Sequence, residues 1–273
     1  MLMRFHALAR PGLHSESPEM SNANGVADEL ADRLIAARRA RVRLARMEAD
    51  ALGRSLDEAG SYAVQAQVCE AFGPARAFKT SRKSASAPVI CAPILDGALR
   101  PSGAVFRSSE FASCGIELEI GFRIDLPLPP FDAPDFEAAV RASVTAVPVI
   151  EVVDGRIEGF ETMSDLLKLA DNQINAGLVW AEPITAEDPD LAEPEVDLRL
   201  NGVSVVSGRQ RVPGGDAFSV FLAFANVIGE HCGGLQPGQI VTTGSLTGLI
   251  YVQPGTHVEG QIRGLGKVET RYD

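Results

Sequence analysis

The sequence is poor in cysteine, in basic charge and in long apolar runs, and each shortage excludes something. Four cysteines occur in 273 residues, at Cys69, Cys91, Cys114 and Cys232. None forms a close metal-binding pair, and a chain of this size needs no disulfide staples. They are read as reduced thiols of a cytoplasmic protein. Basic residues number 25 against 36 acidic ones, for a net charge of −11. Nucleic-acid binding draws on a basic surface, so nucleic acid is not an expected partner. Many of the arginines fall in "RLIAARRARVRLAR", read as one helix face. No apolar run reaches the length of a membrane span, so no membrane association is expected. Internal repeats and low-complexity stretches are absent too. Residues 1–24 carry Ser, Asn and Pro and lack the apolar core of a signal peptide. A disordered tail is expected there, with Met20 as an alternative start and no role for His6 or His14.

What is present is enough apolar content, 45%, to bury a real core. Residues 26–52 place Val26, Leu30, Leu34, Ile35 and Val42 at helical spacing and predict one long helix. A second helix is predicted from Ser55, with Glu58 three residues on in a capping-box pattern, to the stop at Gly73-Pro74. Beyond residue 75 the texture changes to short Val/Ile-rich segments cut by Gly and Pro, which read as strands. Asn201-Gly202 marks a hairpin turn, and helices are predicted at 132–144 and 215–232. The expected fold is α+β: a tail over 1–24, a small helical part over 25–74, and a curled, mixed β-sheet domain over 75–273.

The segment "GIELEIGFRI" (115–124) alternates strictly. Ile116, Leu118, Ile120 and Phe122 fall on one face, and Glu117, Glu119, Gly121 and Arg123 on the other. In a strand, residues two apart stand about 6.5–7 Å from each other with parallel side chains. Two carboxylates so placed repel unless something positive lies between them. Either this is a solvent-facing strand with Arg123 as partner, or it is a divalent-metal site. Glu151 adds weight, because it interrupts an apolar run from Val147 to Val153. A carboxylate in a buried strand is costly unless paired or liganded; an arginine partner is the alternative for it taken alone. Three carboxylates with no nearby Cys or His make an all-oxygen site, which selects Mg²⁺ or Mn²⁺. Lys79 follows Phe78 in "ARAFKTS" and is either a surface lysine or, beside a metal, a partner for a substrate carboxylate or a proton carrier. Ser245 and Thr247 lie in the Gly-bracketed "TTGSLTG", either an anion cradle or a tight turn. Gly264-x-Gly266 precedes no helix pattern and is not a dinucleotide fingerprint.

Taken together, "AFKTS", "GIELEIGF", "VIEVVDGRI", "ADNQINAGLV", "TGSLTG" and "QPGTHVEGQIRGLGKVE" resemble, in order and spacing, the 2-oxopent-4-enoate hydratases. That group, with the 4-oxalocrotonate decarboxylases, belongs to the fumarylacetoacetate hydrolase superfamily. The resemblance covers roughly residues 28–273 and implies that superfamily's curled sheet. It also implies Glu117, Glu119 and Glu151 as ligands of Mg²⁺ or Mn²⁺, and Lys79 and Asp96 (in "APILDGAL") as catalytic groups. The implied activity is a hydratase adding water to a 2-hydroxy-2,4-dienoate or related 2-oxo acid through a metal-bound enolate. The alternatives are a 2-oxo acid decarboxylase of the same fold and a non-catalytic metal-binding subunit. A homo-oligomer is expected, with association to a pathway decarboxylase as a further expectation. Hydrolysis ranks below these, because no histidine matches the His-Glu pair of the superfamily's hydrolases.

The departures fall in the substrate pocket that the resemblance implies. Thr80 and Ser81 stand where the family has Ile and Gly, and Gln173, Ile174 and Asn175 follow Asp171-Asn172 where hydratases commonly carry serines. Thr80, Ser81, Ile174 and Asn175, with Ser245 and Thr247, are the expected substrate contacts, and they imply a substrate with an extra polar or cyclic group.

Overall fold

The computed structural model of the chain describes residues 18–130, 132–184 and 188–273, with side chains in the first stretch from residue 25 onward. Of the expected tail, residues 1–17, with His6 and His14, lie outside these; helix α1 (Pro18–Ala40) begins within the rest of it. The single helix expected over 26–52 is broken. Arg41 takes a left-handed φ of 54°, and the chain restarts as α2 (Arg46–Gly53). The break is made by tertiary contacts. Leu44 pairs with Ile157 in a short parallel bridge, and Arg43 Nε donates to the Gly155 carbonyl at 3.0 Å. Helix α3 (Glu58–Phe72) is capped by Asp57, whose carboxylate accepts from Gly60 N, rather than by Ser55. These helices do not form a core of their own. Leu30, Leu34, Val64 and Val68 pack with Val153, Ile157, Phe160 and Leu167 from the later chain.

The strands follow. They are β1 (Ala77–Ser81), β2 (Ile90–Ile94), β3 (Leu99–Pro101), β4 (Val105–Phe106) and β5 (Cys114–Ile124). After helix α4 (Phe136–Ala142) comes β6 (Val144–Val153), then helix α5 (Asp165–Ala170) and β7 (Asn175–Trp180). The hairpin β8 (Glu195–Leu200) and β9 (Val203–Arg209) turns at Asn201 and Gly202. Both turn residues have positive φ, as a two-residue type I′ turn requires. Helix α6 (Ala217–Ala225) precedes β10 (Ile240–Ser245), β11 (Ile250–Val252), β12 (Thr256–Ile262) and β13 (Gly266–Tyr272). Helix α5 was not legible from the sequence.

An 8-stranded sheet runs β2-β1-β10-β5-β6-β7-β3, with β11 also on β5, and a 5-stranded sheet runs β4-β13-β12-β8-β9. Parallel pairings (β1 with β10, β3 with β7) mix with antiparallel ones, so the fold is α+β with a curled mixed sheet. The apolar face of β5, with Ile116, Leu118, Ile120 and Phe122, enters the main core. Helix α6 covers it there: Phe218 and Phe221 meet Phe122, and Phe224 meets Phe78. Burying each such ring is worth about 1.5–3 kcal/mol. The second sheet comes so close that a Cβ on Gly260 of β12 would lie 2.5 Å from Leu118. The opposite face of β5 carries the glutamates. No helix among the described residues is long and apolar enough to cross a membrane.

Candidate metal centre

Glu117 on β5 sits directly opposite Glu151 on β6 in the ladder. Glu119, two residues along β5, shares their face, and one carboxylate oxygen from each of the three lies within 4.8 Å of the others. Glu151 is 0% exposed and Glu119 1%. Arg123 is not their partner: its guanidinium binds Asp125 at 2.6 Å and Glu182 at 2.7 Å. Among the described residues no arginine meets Glu151 either. Its Oε1 accepts from Lys79 Nζ at 3.0 Å and from Asn175 Nδ2 at 2.8 Å. Lys79 Nζ also lies 3.7 Å from Glu117 and donates to the Gln173 carbonyl at 3.4 Å. The surface reading of Lys79 therefore does not hold.

Charge in this site is unbalanced. Three carboxylates against one ammonium leave two negative charges uncompensated in a buried setting. Burial, then Glu151 and Glu117, push the Glu119 carboxyl well above its usual range. Burial raises Glu151 as well, partly offset by Lys79. Burial alone would lower the Lys79 pKa, but the three glutamates outweigh it and hold it raised, so Lys79 is an ammonium. Glu151 Oε2 is buried with no hydrogen-bond partner, as is Ser245 Oγ nearby on β10. A divalent cation matches the missing charge, and an unpaired buried carboxylate oxygen matches an oxygen-seeking ion. The residues present fit Mg²⁺ or Mn²⁺.

Two backbone features place these groups. The ladder between β10 and β5 shifts register between Thr242 and Ser245. Gly244 sits in that bulge with φ 108°, a conformation open chiefly to glycine. Its N–H donates to Glu119 Oε2 at 2.8 Å. Gly244 N is thus a backbone N–H of "TTGSLTG" that meets a carboxylate. Thr247 Oγ1 instead accepts from Leu118 N at 3.1 Å and ties the loop down, as the tight-turn reading has it.

The second feature is a run of three left-handed residues without glycine: Asn172 (φ 49°), Gln173 (φ 48°) and Ile174 (φ 57°). Each costs roughly 1–2 kcal/mol for an L-residue. The cost is offset by a buried network at its start. Arg156 Nε and backbone N each bind the Asp171 carboxylate at 2.7 Å, and Arg156 also donates to the carbonyls of Asp171 and Asn175 at 2.6 Å. The run aims the Gln173 carbonyl at Lys79 and delivers the Asn175 amide to Glu151. Gln173, after Asp171-Asn172, falls in the pocket segment the resemblance marks, but the Lys79 contact of its carbonyl and the Arg156–Asp171 pair beneath it were not legible in the sequence. Asp171→Asn is expected to cost about 3–5 kcal/mol, since it leaves buried Arg156 without its counter-charge. Urea unfolding measures it, and a loss below about 1 kcal/mol, the scale of a surface pair, would remove this role.

The other expected contacts are placed differently. Asp96 has a side chain 71% exposed, 3.7 Å from Arg76, and is not brought to the glutamates. The Thr80 hydroxyl donates to the Thr242 carbonyl at 2.7 Å on the face opposite Lys79. Ile174 packs toward the helical core. Ser81, two residues beyond Lys79 on β1, shares its face, and Ser245 pairs across from Glu119. His231 contacts Gln65 and His257 lies beside Glu259 and Glu269, so neither is in the cluster.

Comparison with known proteins agrees with the fold. The 2-keto-4-pentenoate hydratase 1 of Dechloromonas aromatica is 32% identical over 136 residues, 49% of this chain and 51% of the relative. A 4-oxalocrotonate decarboxylase of a Pseudomonas species is 25% identical over 153 residues, 55% of each chain. The chain thus spans about half the length of the curated relatives it matches. The structure of the 4-oxalocrotonate decarboxylase from Pseudomonas putida G7, complexed with magnesium and adipate, superposes with a TM-score of 0.73. That match is at 22% identity and covers 95% of this chain and 100% of that one. The family model for the fumarylacetoacetate (FAA) hydrolase C-terminal region matches residues 73–272. With a match over that much of its length, the chain belongs to the fumarylacetoacetate hydrolase family.

Proposed function

We propose that the protein is a metal-dependent lyase acting on a 2-oxo acid, with decarboxylation as the first reading and hydration as the second. The observation that carries it is the buried trio Glu117, Glu119 and Glu151, short of two positive charges and holding an unpaired oxygen beside the ammonium of Lys79. When bound there, Mg²⁺ or Mn²⁺ supplies Lewis-acid polarisation of the 2-oxo group, which stabilises the enolate form of the substrate. The three glutamates hold the ion. Asn175 and Gly244 orient two of them by hydrogen bonds to Glu151 and Glu119. Lys79, 3.0 Å from Glu151, is placed to partner the substrate carboxylate or to carry a proton.

Decarboxylation asks for little more. When a carboxylate β to the 2-oxo carbonyl, or β through an intervening double bond, leaves as carbon dioxide, the electrons of the broken C–C bond pass into the enolate, and a proton then returns to carbon. Hydration also needs a base to place and activate water, and Asp96, the other catalytic group the resemblance implies, stands exposed beside Arg76. The likeness to the decarboxylase structure, over 95% of the chain, supports the same ranking; the identity to a hydratase supports the second reading.

The test is purified protein alone, with Mg²⁺ or Mn²⁺ and a panel of 2-oxo-enoates with and without a second carboxylate. Carbon dioxide release that EDTA abolishes is the expected result. Loss of the dienol absorbance without carbon dioxide would move the assignment to hydratase. Absence of turnover on the whole panel would favour a non-catalytic metal-binding subunit.

A further inference from the structure

A cleft of about 410 Å³ lies between the end of α1 and the loops before β5 and after β6, and neither Lys79 nor the three glutamates lines it. Five arginines do: Arg38, Arg41, Arg43, Arg100 and Arg156. Asp96, Glu110 and Asp154 line it with them, and Asp171 behind the wall pairs with Arg38 and Arg156, so five arginines meet four carboxylates, in a chain whose net charge is −11.

Three of the arginines are committed. Arg156 is bound to Asp171 and to backbone carbonyls. Arg43 is held by Asp154, Ser113 and the Gly155 carbonyl. Arg100 meets Glu110 and the Val105 carbonyl and stacks over Phe106.

The other two have donors to spare. The Arg38 side chain is only 13% exposed, yet its one ion pair, to Asp171, is stretched to 3.5 Å. Its Nε is buried with no hydrogen-bond partner. A buried donor left unsatisfied costs about 1–3 kcal/mol, more when charged, so an acceptor is missing from the structure at this point. Burial and the neighbouring Arg156 push its pKa down to about 9, the direction a nearby anion would reverse. Arg41 sits one turn-closing step away, in the left-handed conformation that ends α1. It is exposed, and Glu110 across the cleft, already bound by Arg100, feels its charge. Two guanidinium forks with free N–H groups suit planar or tetrahedral oxyanions, and the cleft has the volume of a small-metabolite site.

We propose that this cleft is a second ligand site, separate from the metal centre, which binds a small dianion of carboxylate or phosphate type through Arg38 and Arg41. Asn172 and Asn175 form part of its wall, and Asn175 also donates to Glu151. An occupant therefore touches the segment that shapes the metal centre without entering it.

The experiment is calorimetric titration of the metal-free protein, at constant ionic strength, with succinate and separately with inorganic phosphate. One-to-one binding of at least one anion is expected, weakened about tenfold or more, some 1.4 kcal/mol, in Arg41→Gln. That variant changes an exposed side chain, so folding is preserved. Binding of succinate alone assigns the site to dicarboxylates, and of phosphate alone to phosphates. No binding at millimolar anion, or binding that Arg41→Gln leaves intact, overturns the proposal. Because the protein is metal-free and no turnover is read, failure here is distinct from failure of the lyase assignment.

Discussion

Glu151→Gln is expected to abolish turnover and to weaken Mg²⁺ or Mn²⁺ binding by about a hundredfold or more, beyond the 10–100-fold typical of residues that only orient ligands. The substitution removes one of three anionic oxygens at a position with no exposure to solvent. Gln is nearly isosteric, so the hydrogen bond from Asn175 Nδ2 keeps its acceptor. The metal-free variant should be at least as stable as the parent. Glu151 is a buried carboxylate whose own pKa is raised by burial and by Glu117, so deleting its charge relieves repulsion with Glu117 and Glu119. Metal affinity and metal-free stability should thus move in opposite directions. Calorimetric metal titration and thermal melts in EDTA measure the two. Full activity at limiting metal would sink the assignment of Glu151 as a ligand.

Lys79→Met should act with the opposite pattern. Turnover is expected to fall by about a hundredfold or more, the scale of losing a general acid. Lys79 is also the one cation reaching the glutamates among the described residues, through 3.0 Å and 3.7 Å contacts. Removing it strands buried carboxylates, and breaking a buried pair costs about 3–5 kcal/mol. The metal-free variant should therefore melt well below the parent, and saturating Mg²⁺ should restore more stability to it than to the parent. A variant with parental kinetics and an unchanged melt would mean that Lys79 neither touches substrate nor balances the site.

How far these expectations could be read in advance differs from residue to residue. The pairing of Glu117 with Glu119 was legible because side chains in a strand alternate with period two. Glu151 was legible because a lone acid in an apolar run must be compensated. The hairpin at Asn201-Gly202 was legible from local turn chemistry, and so was the stop after α3 at Gly73. These signals are carried by neighbours in the chain, where backbone geometry alone decides which face a residue takes. The sequence by itself thus determined the α+β character of the protein and the three acids of its site.

Other features depended on contacts between distant segments. The single helix expected over 26–52 breaks because residues 43 and 44 bind the chain at 155–157, and helix propensity is a weaker term than those contacts. Lys79 reaches Glu151 because β1 lies beside β10, and β10 beside β5, an order that no local pattern encodes. Asp96 and Ile174 resemble site residues by position in sequence, yet strand ends and a left-handed turn direct them elsewhere. The non-glycine run 172–174 is held in its costly conformation by Arg156 and Asp171. Tertiary structure alone decided which cation faces the acids, which amides orient them and where arginine donors remain unfilled, because each of these depends on charges and backbone groups brought together from segments far apart in the chain.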